Sequence, residues 1–184
     1  AGGAMADIVG AAYPEIYAAL GIHSGLPRGA ATNVAGAFAA MKNGEPAPRS
    51  TAKIADASVP TIVFHGDADQ TVHPKNGEQV IAALLRRVDS NEPTSEQGVT
   101  SGGRSYTRSI YRADKGDTIA EHWVAKSAGH AWSGGSATGS YTDAKGPDAT
   151  GEMLRFFFEG LRRSKEVRNE TYRAGSTEGR PIAL

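Results

Sequence analysis

Apolar residues fall in short clusters separated by glycine-rich and polar stretches, and their spacing changes from cluster to cluster. From Gly2 to Tyr13 the positions Met5, Ile8, Val9 and Ala12 recur at helical intervals, and Pro14 closes the segment. Glycine and alanine supply most of the remainder, so this helix is expected to lie close to neighbouring backbone and to be buried. Tyr17–Ser24 is a short apolar run stopped by Ser-Gly, which predicts a buried strand. Residues 27–51 are rich in Ala, Gly, Pro and Asn and read as a surface excursion that shapes a cleft, with one helix near Val34–Lys42.

The clearest strand runs from Val59 to Gly66, with a β-branched centre and a polar turn behind it. Gly77–Val88 then has Val80, Ile81, Leu84 and Leu85 on one helical face. Strand, polar turn and helix are half of a βαβ unit. Residues 89–104 are polar and predict a loop. Ser105–Arg112 and Thr118–Lys126 flank Ala-Asp-Lys-Gly-Asp, the pattern of a hairpin. A turn-rich segment, Ser127–Gly135, precedes a last helix over Thr150–Arg163 carrying Met153, Leu154, Phe157, Phe158 and Leu161. The expected organisation is one α/β domain over residues 1–163 and a polar, loosely held tail over 164–184.

Composition narrows the partners. At 39% hydrophobic and 22% charged residues the 184-residue chain can build a packed core. Twenty basic and twenty acidic residues cancel, without a block of like charge, so nothing points to a nucleic acid or an anionic membrane surface as partner. No apolar run approaches the roughly 20 residues that cross a bilayer. Cysteine is absent, which excludes disulfides, thiolate metal sites and a cysteine nucleophile.

Two segments carry candidate chemistry. HGDADQTVHP, residues 65–74, follows the best strand, and a carboxylate at a strand's C-terminal end sits where open α/β sheets place ligands. Asp67 and Asp69 compete for that role, and either can equally cap the turn or the next helix. AGHAWSGG, residues 128–135, sets His130 in a tight loop after a strand, where an imidazole held by an acid on one side can act as a general base on the other. Satisfying loop backbone groups is the plainer use of such a histidine. Acid first and histidine second is the order of an α/β-hydrolase, whose serine comes earlier still. The opening Ala1-Gly2-Gly3-Ala4-Met5 looks like the second half of a G-x-S-x-G elbow cut just after its serine. His65, Asp67, Asp69 and His73 could also be imagined as metal ligands. His23 reads as a core or rim histidine, and Ser24 and Ser133 lie near strand ends without an elbow. Trp132 either walls a pocket or simply packs.

Three stretches together resemble one family. AGGAMADIVGAAYPEIYAALGIHSGLP, VFHGDADQTVHPKNGEQVI and GHAWSGG resemble the post-nucleophile region, acid loop and histidine loop of the poly(3-hydroxybutyrate) depolymerase-like esterases, over residues 1 to about 160. The resemblance implies the C-terminal part of an α/β-hydrolase fold, with a mostly parallel sheet and flanking helices. It implies Asp69 as triad acid, His130 as triad base, the Ala1 amide as an oxyanion donor and Trp132 as a pocket wall, with no metal and no cofactor. The expected activity is serine-type hydrolysis of a short-chain hydroxyalkanoate ester. The alternatives are an aromatic or acetyl ester of plant cell-wall polysaccharide or, from another class, a non-catalytic fragment or interaction module. The nucleophile itself is expected upstream of Ala1, so the chain alone is expected to be inactive. Its own upstream half or a second copy is the expected protein partner, and a secreted or periplasmic location is what the resemblance favours.

Overall fold

The computed structural model describes residues 2–44, 59–114 and 116–159. In chain order the elements are α1 (Gly2–Ala12), β1 (Leu20–His23), α2 (Val34–Asn43), β2 (Thr61–Gly66), α3 (Lys75–Leu85), β3 (Thr94–Val99), β4 (Ser105–Arg112), β5 (Thr118–Ala125), β6 (Trp132–Ser133), β7 (Thr142–Asp143) and α4 (149–159). Five strands form one sheet in the order β1-β2-β5-β4-β3. β1, β2 and β5 are parallel, whereas β5, β4 and β3 form an antiparallel meander. The architecture is therefore α/β with a mixed sheet.

β2 lies between two parallel neighbours and every one of its residues is buried, which is why it reads as a continuous apolar run. Its side chains alternate between two cores. Ile62 and Phe64 join Trp123, Ala149, Met153 and Phe156 on the α4 side. Val63 joins Ile22, Val80, Ile81 and Ala120 on the other side, with Leu84, Leu85 and Ala6 packed around them. Helices thus cover both faces of the parallel part, and the C-terminal ends of β1, β2 and β5 share one edge.

Two expectations need correction. α1 is not a buried helix among the described residues: Met5 and Ile8 are exposed, and its inward stripe is Gly3, Asp7 and Gly10. Close approach selects that stripe, because a Cβ on Gly3 would lie 2.8 Å from the Gly25 Cα. Asp7 in turn accepts hydrogen bonds from the Arg28 amide and guanidinium, at 2.6 and 3.1 Å. Second, the polar stretch 89–104 contains strand β3, an exposed edge held by its backbone ladder to β4. A strand of sequence TSEQGV buries no face, so it carries no apolar alternation to detect. The last helix, α4, turns Met153 and Phe156 inward and leaves Leu154 and Phe158 exposed. Leu161 and the tail over 164–184 lie outside the described residues.

The other elements lie close to their expected bounds. The hairpin is β4–β5, and β1 is the shorter Leu20–His23 within the expected Tyr17–Ser24. α2 begins at Val34 under an Asn33 cap and is fastened to the start of α3, since Asn76 Nδ2 donates to the Ala40 carbonyl at 3.0 Å.

Candidate active site

The acid turn grows directly out of β2. After Gly66 the chain bends, and the Asp69 amide donates back to the Gly66 carbonyl at 3.2 Å. Oδ1 of Asp69 accepts the Thr71 and Val72 amides, each at 2.9 Å. Its side chain is fully buried. Burial by itself would raise the Asp69 carboxyl, but the Val72 amide, His130 and the Thr71 amide together hold it below its ordinary value. The carboxylate is therefore ionised at neutral pH, with Oδ2 left for a further donor. The His65 imidazole stands behind it, its Nε2–H donating to the Val72 carbonyl at 2.8 Å and lying 3.5 Å from Oδ2.

That further donor is His130, whose Nδ1 lies 2.8 Å from Asp69 Oδ2. The histidine loop follows β5 and is pressed against the acid turn: the Ala68 amide donates to the Ala128 carbonyl at 3.0 Å, and the Asp67 amide to the Ala125 carbonyl at 3.1 Å. An ionised acceptor on Nδ1 places the imidazole proton there, which leaves Nε2 as the basic nitrogen. The His130 side chain is 40% exposed while Asp69 is fully enclosed. Of the two competing aspartates it is Asp69 that meets the histidine. Asp67 instead accepts the Ser127 amide and pairs with Lys126 at 3.5 Å, tying the two loops together from outside.

His130 opens onto a cleft of about 560 Å³, lined also by Gly2, Gly3, His23, Ser24 and Trp132. Ala1 lies outside the described residues, but Gly2 and Gly3 in the N-terminal turn of α1 line the same space as His130. Trp132 lines the cleft and also packs: it stacks on His23 at 4.8 Å and donates Nε1–H to Thr150 Oγ1 at 3.1 Å. Ser133 is structural, with its hydroxyl on the Pro147 carbonyl at 2.8 Å. The four imagined metal ligands are committed separately: His65 to Val72, Asp67 to Ser127, Asp69 to His130, and His73 Nδ1 to the Lys75 amide. Among the described residues no three His, Asp or Glu side chains gather as a metal site.

The first 102 residues match the family described as Esterase PHB depolymerase. The chain belongs to that esterase family. The family is of the α/β-hydrolase class, and the five-stranded mixed sheet with helices on both faces agrees with it. A curated relative, poly(3-hydroxyalkanoate) depolymerase C of Paucimonas lemoignei, is 25% identical over 139 residues, covering 71% of this chain and 33% of the relative. The chain thus spans about a third of the length of the relative it matches.

Sequence reasoning underrated one part of the site. His23 and Ser24 close β1 at the same sheet edge as Asp69, and both line the cleft. The rule that drew attention to residues beyond β2, ligands at the C-terminal ends of parallel strands, applies equally to β1.

Proposed function

We propose that the protein of which this chain is part hydrolyses short-chain hydroxyalkanoate esters through an acyl-enzyme, with His130 and Asp69 as base and acid of a serine triad. The observation that carries this is the 2.8 Å contact from His130 Nδ1 to a buried, ionised carboxylate, made beside a cleft into which α1 points its N-terminus. The nucleophile in this reading is a serine immediately before Ala1, at the strand-to-helix turn that α1 completes. His130 Nε2 takes the serine proton as the hydroxyl oxygen attacks the ester carbonyl. The same proton then passes to the alkoxy oxygen, the alcohol departs, and the acyl group remains on serine. Water repeats the sequence in reverse, giving its proton to His130, and the carboxylic acid is released.

Asp69 serves throughout by holding the tautomer and stabilising the imidazolium. The Ala1 amide, at the positive end of α1, is the proposed donor to the tetrahedral oxyanion, an interaction worth roughly 3 kcal/mol of barrier in hydrolases of this kind. Trp132 forms the wall of the acyl or alcohol pocket. No cofactor enters this chemistry. β1 is the outermost strand of the sheet among the described residues, and the exposed Met5 and Ile8 lie on the helix just before it. We therefore place further strands from an upstream segment beside β1, with a second copy of the chain as the competing occupant of that edge.

The test is a substrate panel on the full-length protein: p-nitrophenyl butyrate, linear 3-hydroxybutyrate oligomers, a feruloyl ester and acetylated xylan. Turnover highest on the oligomers and reduced about a thousandfold or more by His130→Ala supports the reading. Preference for the cell-wall esters would move the substrate class, and absence of all ester hydrolysis would sink the proposal.

A further inference from the structure

His23 and Ser24 form a polar wall of the cleft that the triad chemistry leaves unused. The backbone amide of Ser133 donates to His23 Nε2 at 2.9 Å, so that nitrogen presents a lone pair and bears no proton. The ring is stacked between Phe64, at 6.0 Å, and Trp132, at 4.8 Å. Burial, reinforced by the His65 and His130 imidazoles, pushes the His23 pKa down to about 4. At neutral pH the ring is therefore neutral, and its single proton is on Nδ1. Nδ1–H donates to Ser24 Oγ at 3.1 Å. The serine oxygen is the acceptor in that bond, and its own hydroxyl hydrogen is given to no other described residue.

The backbone supports a functional reading of the same residue. Ser24 has φ +48°, in the left-handed region that glycine enters freely and that costs a residue with a Cβ on the order of 1 kcal/mol. Its amide donates to the Phe64 carbonyl at 2.9 Å, extending the ladder of β1 and β2, and Gly25 beyond it packs on Gly3. The surroundings thus impose a conformation suited to glycine, and the chain keeps a buried serine there. Of the other donors lining the cleft, Trp132 Nε1–H is taken by Thr150, and Tyr141 is largely exposed.

We propose that the Ser24 hydroxyl, oriented by His23, donates a hydrogen bond to an acceptor oxygen of the bound ester outside the scissile group. The inference rests on the esterase reading above and sharpens its substrate class. In that reading the scissile carbonyl oxygen is held by amides at the start of α1, and His130 Nε2 serves the serine and alkoxy oxygens. A third polar group on the wall beside Trp132, Leu26 and Met41 then matches a second carbonyl flanked by aliphatic carbon. An oligoester has that pattern and a simple alkyl ester does not. The gain is discrimination, because a buried hydroxyl left facing an apolar chain loses its water without recovering a partner.

The experiment uses the full-length protein and two variants, Ser24→Ala and Ser24→Gly. The glycine form removes the hydroxyl while relieving the positive φ, so it remains informative if the alanine form folds poorly. We expect kcat/KM on a linear 3-hydroxybutyrate trimer to fall about tenfold to a hundredfold, and at least about tenfold more than on p-nitrophenyl butyrate. In a His130→Ala background, calorimetry should show trimer binding weakened by a similar factor. Equal losses on both esters, or trimer binding that is unmoved by either variant or absent from the unmutated protein, would overturn the role of Ser24. Failure of the esterase reading has a separate signature, an unmutated protein that cleaves neither ester, and the binding arm still judges Ser24 in that case.

Discussion

Gly66 and Ala128 are in direct backbone contact: a Cβ built on Gly66 would overlap the Ala128 carbonyl group. Gly66 ends the strand before Asp69, and Ala128 lies in the loop that carries His130, so this contact, with the Ala68–Ala128 and Asp67–Ala125 hydrogen bonds, sets the spacing across which Asp69 meets His130. Gly66→Ala must push the two backbones apart. We expect a loss of about 1–3 kcal/mol in denaturant unfolding, the usual cost of overpacking, together with a loss of ester turnover that exceeds the stability effect. Wild-type turnover in a folded Gly66→Ala protein would show that the contact does not set the geometry.

The two aspartates of the turn should differ sharply. Asp69→Asn keeps the shape but removes the charge that fixes the His130 tautomer, and kcat should fall by about four orders of magnitude. Asp67→Asn touches only the Ser127 amide and Lys126, so its kcat should stay within about tenfold of wild type. A reversed order between the two would reassign the acid.

Acid should unfold the protein in two stages whose origins are distinct. His23 and His122 both have pKa values lowered from 6.5 to about 4, chiefly by burial. Below pH 6.5 the unfolded chain binds protons at these sites while the folded protein does not. Stability present above pH 6.5 is therefore lost as the pH falls from 6.5 towards 4, by up to about 1.4 kcal/mol per pH unit for each histidine. Asp69 acts lower, because its folded value lies beneath the ordinary 3.8 and its contribution disappears only under more acidic conditions. Urea midpoints at pH 7.5, 5.5 and 4.5 read the first stage. His122→Gln should remove part of the slope and leave that of His23 and of His65, whose pKa burial also lowers; Nε2 of His122 is buried and has no partner among the described residues. An unchanged slope would mean that His122 titrates normally in the folded state.

A second buried carboxylate holds the far side of the sheet. Glu121 accepts from Arg108 at 2.8 and 3.1 Å, from Arg155 at 2.7 and 2.9 Å, and from Trp123 Nε1 at 3.0 Å, linking β4, β5 and α4. Burial would raise the Glu121 carboxyl, yet the Arg108, Arg155 and Trp123 hydrogen bonds hold it low. Glu121→Gln removes the buried counter-charge and leaves Arg108 with the exposed Glu96, at 3.3 Å, and Arg155 with Glu152 and Glu159, at 2.6 and 2.9 Å. We expect a cost of about 1–2 kcal/mol in thermal or denaturant unfolding, because both arginines are partly exposed and keep other carboxylates. Ester turnover of the folded fraction should be retained, because no part of this network lines the cleft. A midpoint within about 1 °C of wild type would show the clamp to be energetically idle.

Elements whose burial leaves a periodic trace can be read directly from the amino-acid order. β2, α3 and the β4–β5 hairpin were legible because each presents an apolar face, or an apolar whole, to a core. The acid and histidine segments were legible too, since tight polar turns behind strands need particular residues in order. Tertiary structure alone decided what depends on neighbours. β3 exists because β4 offers it a backbone ladder, and no side-chain pattern records that offer. α1 shows its larger apolar residues outward because close packing on Gly25 and Leu20 leaves room only for Gly3 and Gly10. The choice of Asp69 over Asp67 turned on which carboxylate points across to the His130 loop, sixty-one residues further on. The orientation of the Ser24 hydroxyl as acceptor from His23 follows from a Ser133 amide on the far side of that ring, a bond between residues 110 positions apart that no local pattern can encode.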